Sequence, residues 1–361
     1  MEERKVTEWS YSKPFFEVWA DRQGIPVIRD YAVEDLLKVP VGPWKRKGGK
    51  GALIILHGGQ GWTSAYVCEI APGETLIPQR QLFEEQIYVL NGQGESGFWY
   101  KEGERQVASW RKGSIFATPL NSWHVHRNTG SEPARYVAVT NAPVIFNIFA
   151  NEDFVFSNLF AFRDRFRGES DYFSPEGKKD ASMGLGTDLP LWRVNLIPDA
   201  NAPKLAQTPM GTGMGLLQLN LASNTMSAHM AELEVGTYKK AHRHDPGPHI
   251  IWLSGCGYTF MWNERGEKIR IDWKPGGMET PPEGWFHQHF NTSPEPARHI
   301  AFRRGEYGTG KQFQPWLDVK KGGDQIEYED EEPDVRTIYE EELRKAGIQF
   351  RMPAVRRNVS N

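Results

Sequence analysis

The chain is poor in cysteine. Two thiols in 361 residues, Cys68 and Cys256, stand far apart in strand-like segments. Neither a disulfide framework nor a C-x-x-C metal site is expected, and both read as small core residues. No sign of charge dominates: 43 Lys+Arg against 46 Asp+Glu gives −3, which argues against nucleic-acid binding and against a basic membrane-surface protein. No apolar run reaches membrane-spanning length. The opening residues, Met1-Glu2-Glu3-Arg4-Lys5 into Val6-Thr7-Glu8-Trp9, hold no apolar signal core, so the expected location is cytoplasmic, without membrane partners. What is abundant is aromatic: 13 Trp, 19 Phe and 12 Tyr. The length exceeds one average domain, and two domains with separate cores are the natural reading.

Comparing the chain with itself at an offset of 163 lays Ser64–Arg135 over Ser227–Arg298 without a gap. Identical pairs include Gly73/Gly236, Arg80/Arg243, Trp99/Trp262, Trp110/Trp273, Pro119/Pro282, His124/His287, His126/His289 and Asn128/Asn291. The run Glu132-Pro133-Ala134-Arg135 recurs as Glu295-Pro296-Ala297-Arg298. One folding unit therefore occurs twice. Each copy alternates apolar and polar residues in short runs such as Gln86–Leu90 and His249–Leu253, broken by Gly, Pro and Asn. Many short strands with regular turns predict an all-β jelly roll.

The second copy carries a histidine constellation. His242-Arg243-His244 follows Gly236, and G-x5-P-x-G-x2-H-x3-N runs from Gly276 through Pro282, Gly284 and His287 to Asn291. Residues two apart on a strand face the same way, so His242 and His244 project together and His287 can close the set from another strand. H-x-H alone reads as surface histidines. With His287 and the turn residues it reads as a metal site, and imidazole suits zinc, copper, iron and nickel. His289 shares the face of His287. It reads either as a proton-moving or orienting group or as a core histidine bonded to backbone.

These motifs resemble those of the cupin superfamily, and their repetition makes the chain similar to a bicupin: two tandem cupin jelly-roll β-barrels with short helical extensions. The cupin pattern G-x5-H-x-H-x3-E-x6-G falls on Gly73, Gln79, Gln81, Glu85 and Gly92 in the first unit, with His124 at the second-motif histidine. Gln79, Gln81, Glu85 and His124 make a degenerate site that holds a transition metal poorly. In the second unit Pro248 stands opposite Glu85. The next residue, His249, is a candidate fourth ligand or supporting base if a bulge in Asp245–Pro248 flips strand parity; otherwise it is a rim histidine. The three-histidine set without glutamate resembles the gentisate dioxygenase group. That resemblance implies Fe(II) held by His242, His244 and His287, with dioxygen and a small chelating aromatic or enolic acid as substrates. Zinc, nickel or manganese stay open. A metal-dependent isomerase or hydrolase and a non-catalytic ligand-binding bicupin are the alternatives. Oxalate decarboxylase, with three histidines plus glutamate at its Mn sites, fits neither unit. Seed-storage bicupins carry signal peptides.

The expected division is 1–63, an N-terminal extension with short helices and a first strand; 64–140, the first unit; 141–226, a connector; 227–304, the metal-binding unit; and 305–361, a C-terminal helix and arm. Ser12 and Pro14 start a helix ended by Gly24, and Ala32–Leu37 reads as another helical turn. Trp44–Gly51 reads as a basic, solvated turn, and Ala52–His57 as a strand. Ile145–Phe162 is an apolar segment for a barrel or a subunit interface, so a homo-oligomer is expected. Gly168–Gly186 reads as a mobile loop and Leu189–Ile197 as a strand. Pro333 opens a helix stopped by Gly347. Trp252, Tyr258, Phe260 and Trp262 are candidates to wall an aromatic pocket, of which half face outward. Arg303 and Arg304, at the end of the last barrel strand, can reach the mouth, but read more simply as a surface pair.

Overall fold

The computed structural model describes residues 13–180, 191–208, 210–245, 247–305 and 314–355. Two similar β-units follow one another. In the first, a large sheet runs in the order 27–28, 49–54, 64–70, 134–140, 85–91, 115–118, 196–197, and a smaller sheet in the order 123–128, 93–99, 106–111. The second repeats it: 178–180, 191–193, 214–220, 227–233, 297–303, 249–252, 278–279, 32–33, with 268–273, 257–262, 286–291 as the small sheet. Most central pairings are antiparallel, so alternate residues of each strand face opposite sides.

That alternation builds three cores. On 64–70, Tyr66, Cys68 and Ile70 point into the first unit while Ala65 and Val67 point at its neighbour. On 227–233, Ala231 and Leu233 point inward while Ala228 and Met230 point across. The two large sheets thus meet back to back through Ile54, Val67, Val137, Met230, Ile300 and Phe302, all almost fully buried.

The units also exchange strands. Ala32–Val33 pairs with Met278–Glu279 of the second unit, and Leu196–Ile197 pairs with Ile115–Phe116 of the first. Ala32–Leu37 is therefore not a helical turn. Its apolar residues join the inter-unit core, where Val33 and Leu36 are buried, and sheet edges that would otherwise be open receive them. Each exchanged arm is pinned by an arginine: Arg135 Nη1 donates to the carbonyls of Leu36, Leu37 and Val39 at 3.2, 2.6 and 3.0 Å, and Arg298 Nη1 to those of Ala200, Asn201 and Pro203 at 3.2, 2.7 and 3.2 Å.

Helix α1 (Phe15–Arg22) packs Phe15, Phe16 and Trp19 on α2 (Ala142–Phe149), whose Phe146 is fully buried; Ser12 lies outside the described residues. With α3 (Glu152–Ser157) they cover the first unit, leaving Ile148, Phe149, Phe154, Leu159 and Phe160 exposed. The first strand of the unit proper is Gly49–Ile54, earlier than Ala52–His57. Lys178–Asp180 of the expected mobile loop is a strand on Leu191–Arg193; residues 181–186 and Leu189 lie outside the described residues. Helix α4 (Pro333–Ala346) buries Val335, Tyr339 and Leu343 on the second unit and ends at Gly347, whose φ is 68°. Arg351–Val355 does not extend as an arm: the Arg351 amide donates to Gly236 O at 3.0 Å and Met352 is buried. Residues 356–361 are outside the described set. Cys68 is buried, but Cys256 is exposed, at a turn between strands. No described helix is long and apolar enough to cross a membrane.

Candidate metal centre

Segment 239–244 lies antiparallel to strand Phe286–Asn291. Its register is fixed by reciprocal bonds: His242 N to His287 O at 3.1 Å and His287 N to His242 O at 2.9 Å. Ring centres are 5.5 Å apart for His242/His244, 4.2 Å for His242/His287 and 4.6 Å for His244/His287. One nitrogen of each lies within 4.8 Å of the others. In all three rings Nδ1 faces a backbone carbonyl: Lys240 O at 3.3 Å, Asp245 O at 2.8 Å and Trp285 O at 3.3 Å. A proton on Nδ1 satisfies each carbonyl and leaves Nε2 as the lone-pair donor; in His242 that lone pair accepts from Lys239 Nζ, which a metal would have to displace. Burial, reinforced by neighbouring cationic and imidazole groups, holds all three well below the ordinary histidine range. Three neutral, buried donors without a carboxylate fit a divalent cation. The donor set therefore suits one, without singling out iron.

His249 does not join them. It shares strand parity with Ile251, which packs in the inter-unit core, whereas Ile250 and Trp252 point inward. It is not a rim residue either: it is fully buried, its Nδ1 lies 3.1 Å from Gly247 O, and burial pulls it down to about 4. Pro248 and Gly247 precede it without restoring inward parity, and Pro246 lies outside the described residues.

His289 does face inward, 5.5 Å from the ring of His287, but its partner is a hydroxyl and not the backbone. Nδ1 is 2.8 Å from Thr259 Oγ1, which also accepts from Trp273 Nε1 at 3.1 Å. The first unit repeats this as His126, Ser96 and Trp110, at 2.6 and 2.8 Å. Only the second unit adds Glu279, whose Oε1 accepts from Thr259 at 2.7 Å and lies 3.4 Å from His289 Nδ1. Burial pushes this carboxyl up to about 8, so it is protonated at neutral pH.

Lys239, His229, His299 and Glu279 of this chamber escaped sequence reasoning, whereas Arg303 is a candidate for the mouth from sequence. Lys239 Nζ donates to His242 Nε2 at 2.9 Å. His229 and His299 face each other at 6.0 Å. Arg303 shares the inward face of His299 and Ala301 at the end of its strand. At the 163 offset these residues and Glu279 replace Leu76, Tyr66, Tyr136, Thr140 and Phe116; the differences between the copies, more than the identities, held the signal. Arg303 and Arg304 are not a surface pair. Arg304 is 7% exposed, lies 4.4 Å over the ring of Trp62 and is 3.5 Å from Asp245. The loop of the first unit that carries Trp62 thus borders the second unit's mouth. Its Gly58 is pressed so closely on Thr280 that a Cβ would lie 2.0 Å from the carbonyl oxygen.

No aromatic pocket forms from the expected quartet. Tyr258 and Phe260 face outward beneath α4, Trp262 stacks on Phe286, and Trp252 alone faces in, stacked on Trp273 at 3.4 Å.

The first unit is filled differently. Trp44–Gly51 is no solvated turn: Trp44 and Lys47 are buried, 2% and 4% exposed. Lys47 Nζ donates to Tyr66 Oη at 2.8 Å and lies 3.7 Å from Glu85 Oε1; Tyr66 donates to that same oxygen at 2.6 Å. His124 Nε2 is 3.7 Å from Glu85 Oε2, and burial with the Lys47 charge pulls His124 down to about 3. Gln79 turns its amide to the carbonyls of Arg46, Ile77 and Pro78, while Gln81 is buried on the same cavity wall. An ammonium already neutralises the one carboxylate of the degenerate site.

Residues 66–140 match the family Cupin_2, Cupin domain. No curated protein matches the chain. Among solved structures it is similar to an oxalate decarboxylase studied for an element that modulates proton-coupled electron transfer, at 13% identity over 85% of this chain and 87% of that one, with a TM-score of 0.50. It is similar to the Lactobacillus farciminis oxalate decarboxylase formate complex at 13% identity over 78% and 87%, TM-score 0.50. A Momordica charantia 7S globulin follows at 14% identity over 76% and 84%, TM-score 0.48. At such identity the likeness is one of fold. With two tandem jelly rolls, the first matched to the cupin domain, the chain has the architecture of a bicupin.

Proposed function

We propose that His242, His244 and His287 hold a divalent metal, and that the chain is a metal-dependent oxidoreductase: an Fe(II)-dependent dioxygenase acting on a small, chelating aromatic or enolic acid. The observation that carries this reading is the three buried imidazoles with Nδ1 engaged on carbonyls and no carboxylate in the set. When bound there, the ion supplies an undiminished Lewis acid and, as iron, electron transfer to dioxygen. The chain's own groups orient and exclude water. The carbonyls hold the imidazole rings in one tautomer, and the stacked Trp252 and Trp273 form an apolar floor. His289 and Glu279 keep a proton near the centre.

That protonated Glu279 also favours a second reading, a metal-dependent isomerase or hydrolase that moves protons and consumes no oxygen. Oxygen uptake by iron-loaded protein across a panel of hydroxylated aromatic and enolic acids separates them. Substrate-dependent uptake is expected; turnover without uptake supports the second reading, and metal binding without turnover supports a ligand-binding bicupin. Self-association, the other expectation, rests on the exposed Ile148, Phe149, Phe154, Leu159 and Phe160 and is read from sedimentation.

A further inference from the structure

The first unit carries a cleft of its own, away from the three histidines. It is open, about 500 Å³ in volume, and Trp19, Arg46, Ile77, Arg80, Trp123 and Phe156 form its walls. Helices α1 and α3 supply Trp19 and Phe156, and strand Trp123–Asn128 supplies Trp123. Ile77 and Trp123 are 49% and 36% exposed. The Arg46 guanidinium lies 3.3 Å over the ring of Phe156, and among the described residues its side chain forms no ion pair and no hydrogen bond. Glu152 on the rim pairs with Arg22, and Glu85 within accepts from Tyr66 at 2.6 Å. Burial pulls Arg46 down to about 10, which leaves it charged at neutral pH. Arg80 donates only to backbone, to Asn121 O at 3.1 Å and Phe160 O at 3.4 Å. Its counterpart in the second unit, Arg243, is bonded to Asp324 and Glu264 at 2.7 Å each. At the 163 offset the first unit has Ala161 and Lys101 in those places. Arg46 and Gln79 also line the inner cavity of the unit, where Gln81, 3% exposed, makes no side-chain hydrogen bond among the described residues.

A guanidinium stacked on a ring keeps its N–H edge in the plane, where it can meet both oxygens of a carboxylate. Apolar and aromatic walls around one such group are the make-up of a site for a small acid with an apolar body. We propose that this cleft binds a small monocarboxylic acid, aromatic or branched aliphatic. Its carboxylate is received by Arg46, and its body lies against Trp123, Ile77 and Trp19. Arg80 adds attraction for the anion, and Gln81 offers an amide donor at the inner end. Glu85, behind Arg46, repels a second acid group. The site is separate from the metal centre and does not depend on metal being bound there.

The test is calorimetric titration of the full chain with phenylacetate and with 4-methylvalerate, each beside its neutral amide. At least one acid should bind with a Kd below about 1 mM and about tenfold or more tighter than its amide, the size expected of a charge-assisted contact. Arg46→Gln, with the circular dichroism of wild type, should bring acid and amide to within about twofold. Trp123→Ala should weaken phenylacetate about fivefold and leave the acid-to-amide ratio unchanged. His242→Ala should bind both acids as wild type does. No saturable binding of either acid up to about 10 mM overturns the inference, as does an acid preference that survives in Arg46→Gln. Phenylacetate binding unchanged in Trp123→Ala also overturns it. Loss of binding in His242→Ala places the acids at the metal centre and overturns this inference alone.

Discussion

His249 and His242 are both buried histidines close together in the chain, yet His242 is held beside His287 of the small sheet, while strand parity turns His249 to the outer face of the large one. His249 shares its face with Ile251 and the inter-unit core, and the first unit has Gln86 in the same place, donating to Met226 O at 3.0 Å. His249→Gln should therefore leave metal stoichiometry intact and shift stability by about 1 kcal/mol or less; loss of metal in that variant would make it a ligand. At Lys47 the side chain occupies the place beside Glu85 and Tyr66 that a metal in the first unit would need. Gln79→His with Gln81→His should not create a second metal site, because the ammonium already sits against Glu85. Adding Lys47→Met should raise Co(II) uptake from about one to about two ions per chain. The histidine pattern was legible in the sequence because a strand alternates strictly. Lys47 was not, since it comes from a turn whose direction depends on a sheet formed with residues far along the chain.

At the scale of elements, the paired arms tie the two units together. Each leaves its own unit, adds a short strand to the other's sheet and is held by one arginine. The repeat in the barrels was visible at a fixed offset, but the arms were misread. Ala32–Leu37 has a helix-compatible composition and too few residues to show a period of two. Only the open edge at Met278–Glu279 decides its conformation. Because Arg298 bonds three carbonyls and pairs with Glu232 at 2.8 Å, Arg298→Ala should destabilise the chain by about 2–4 kcal/mol. It should also speed proteolytic cleavage within 191–208. Arg135→Ala should do the same for the arm before residue 40. An unchanged melting point and cleavage pattern would show that the arms hold without their arginines.

The whole molecule carries an acid liability. Burial keeps His124 near 3, His249 near 4, and His126, His229, His242, His244, His287, His289 and His299 well below the ordinary value of 6.5. The unfolded chain binds more protons than the folded one once the pH is below about 6.5, so stability is full above that value and falls as the pH drops. Each buried histidine that must take up a proton adds to the loss, and against a stability of about 5–15 kcal/mol nine such groups weigh heavily. Glu279 works the other way: raised from 4.5 to about 8, it loses stability as pH rises through that window, one group against nine. Urea midpoints of chelator-treated protein should fall sharply from pH 7 to pH 5; a flat or rising midpoint would contradict the buried, neutral state of these rings.

The central claim is one divalent metal per chain, held by the second unit. It is tested most directly by the metal content of anaerobically purified protein, wild type beside His242→Ala. The account predicts close to one ion per chain in wild type and little in the variant. Iron supports the oxygenase reading, whereas zinc, nickel or manganese at that stoichiometry moves it to oxygen-independent chemistry. Wild-type protein that holds no metal after reconstitution, or a variant that retains it, would contradict the claim.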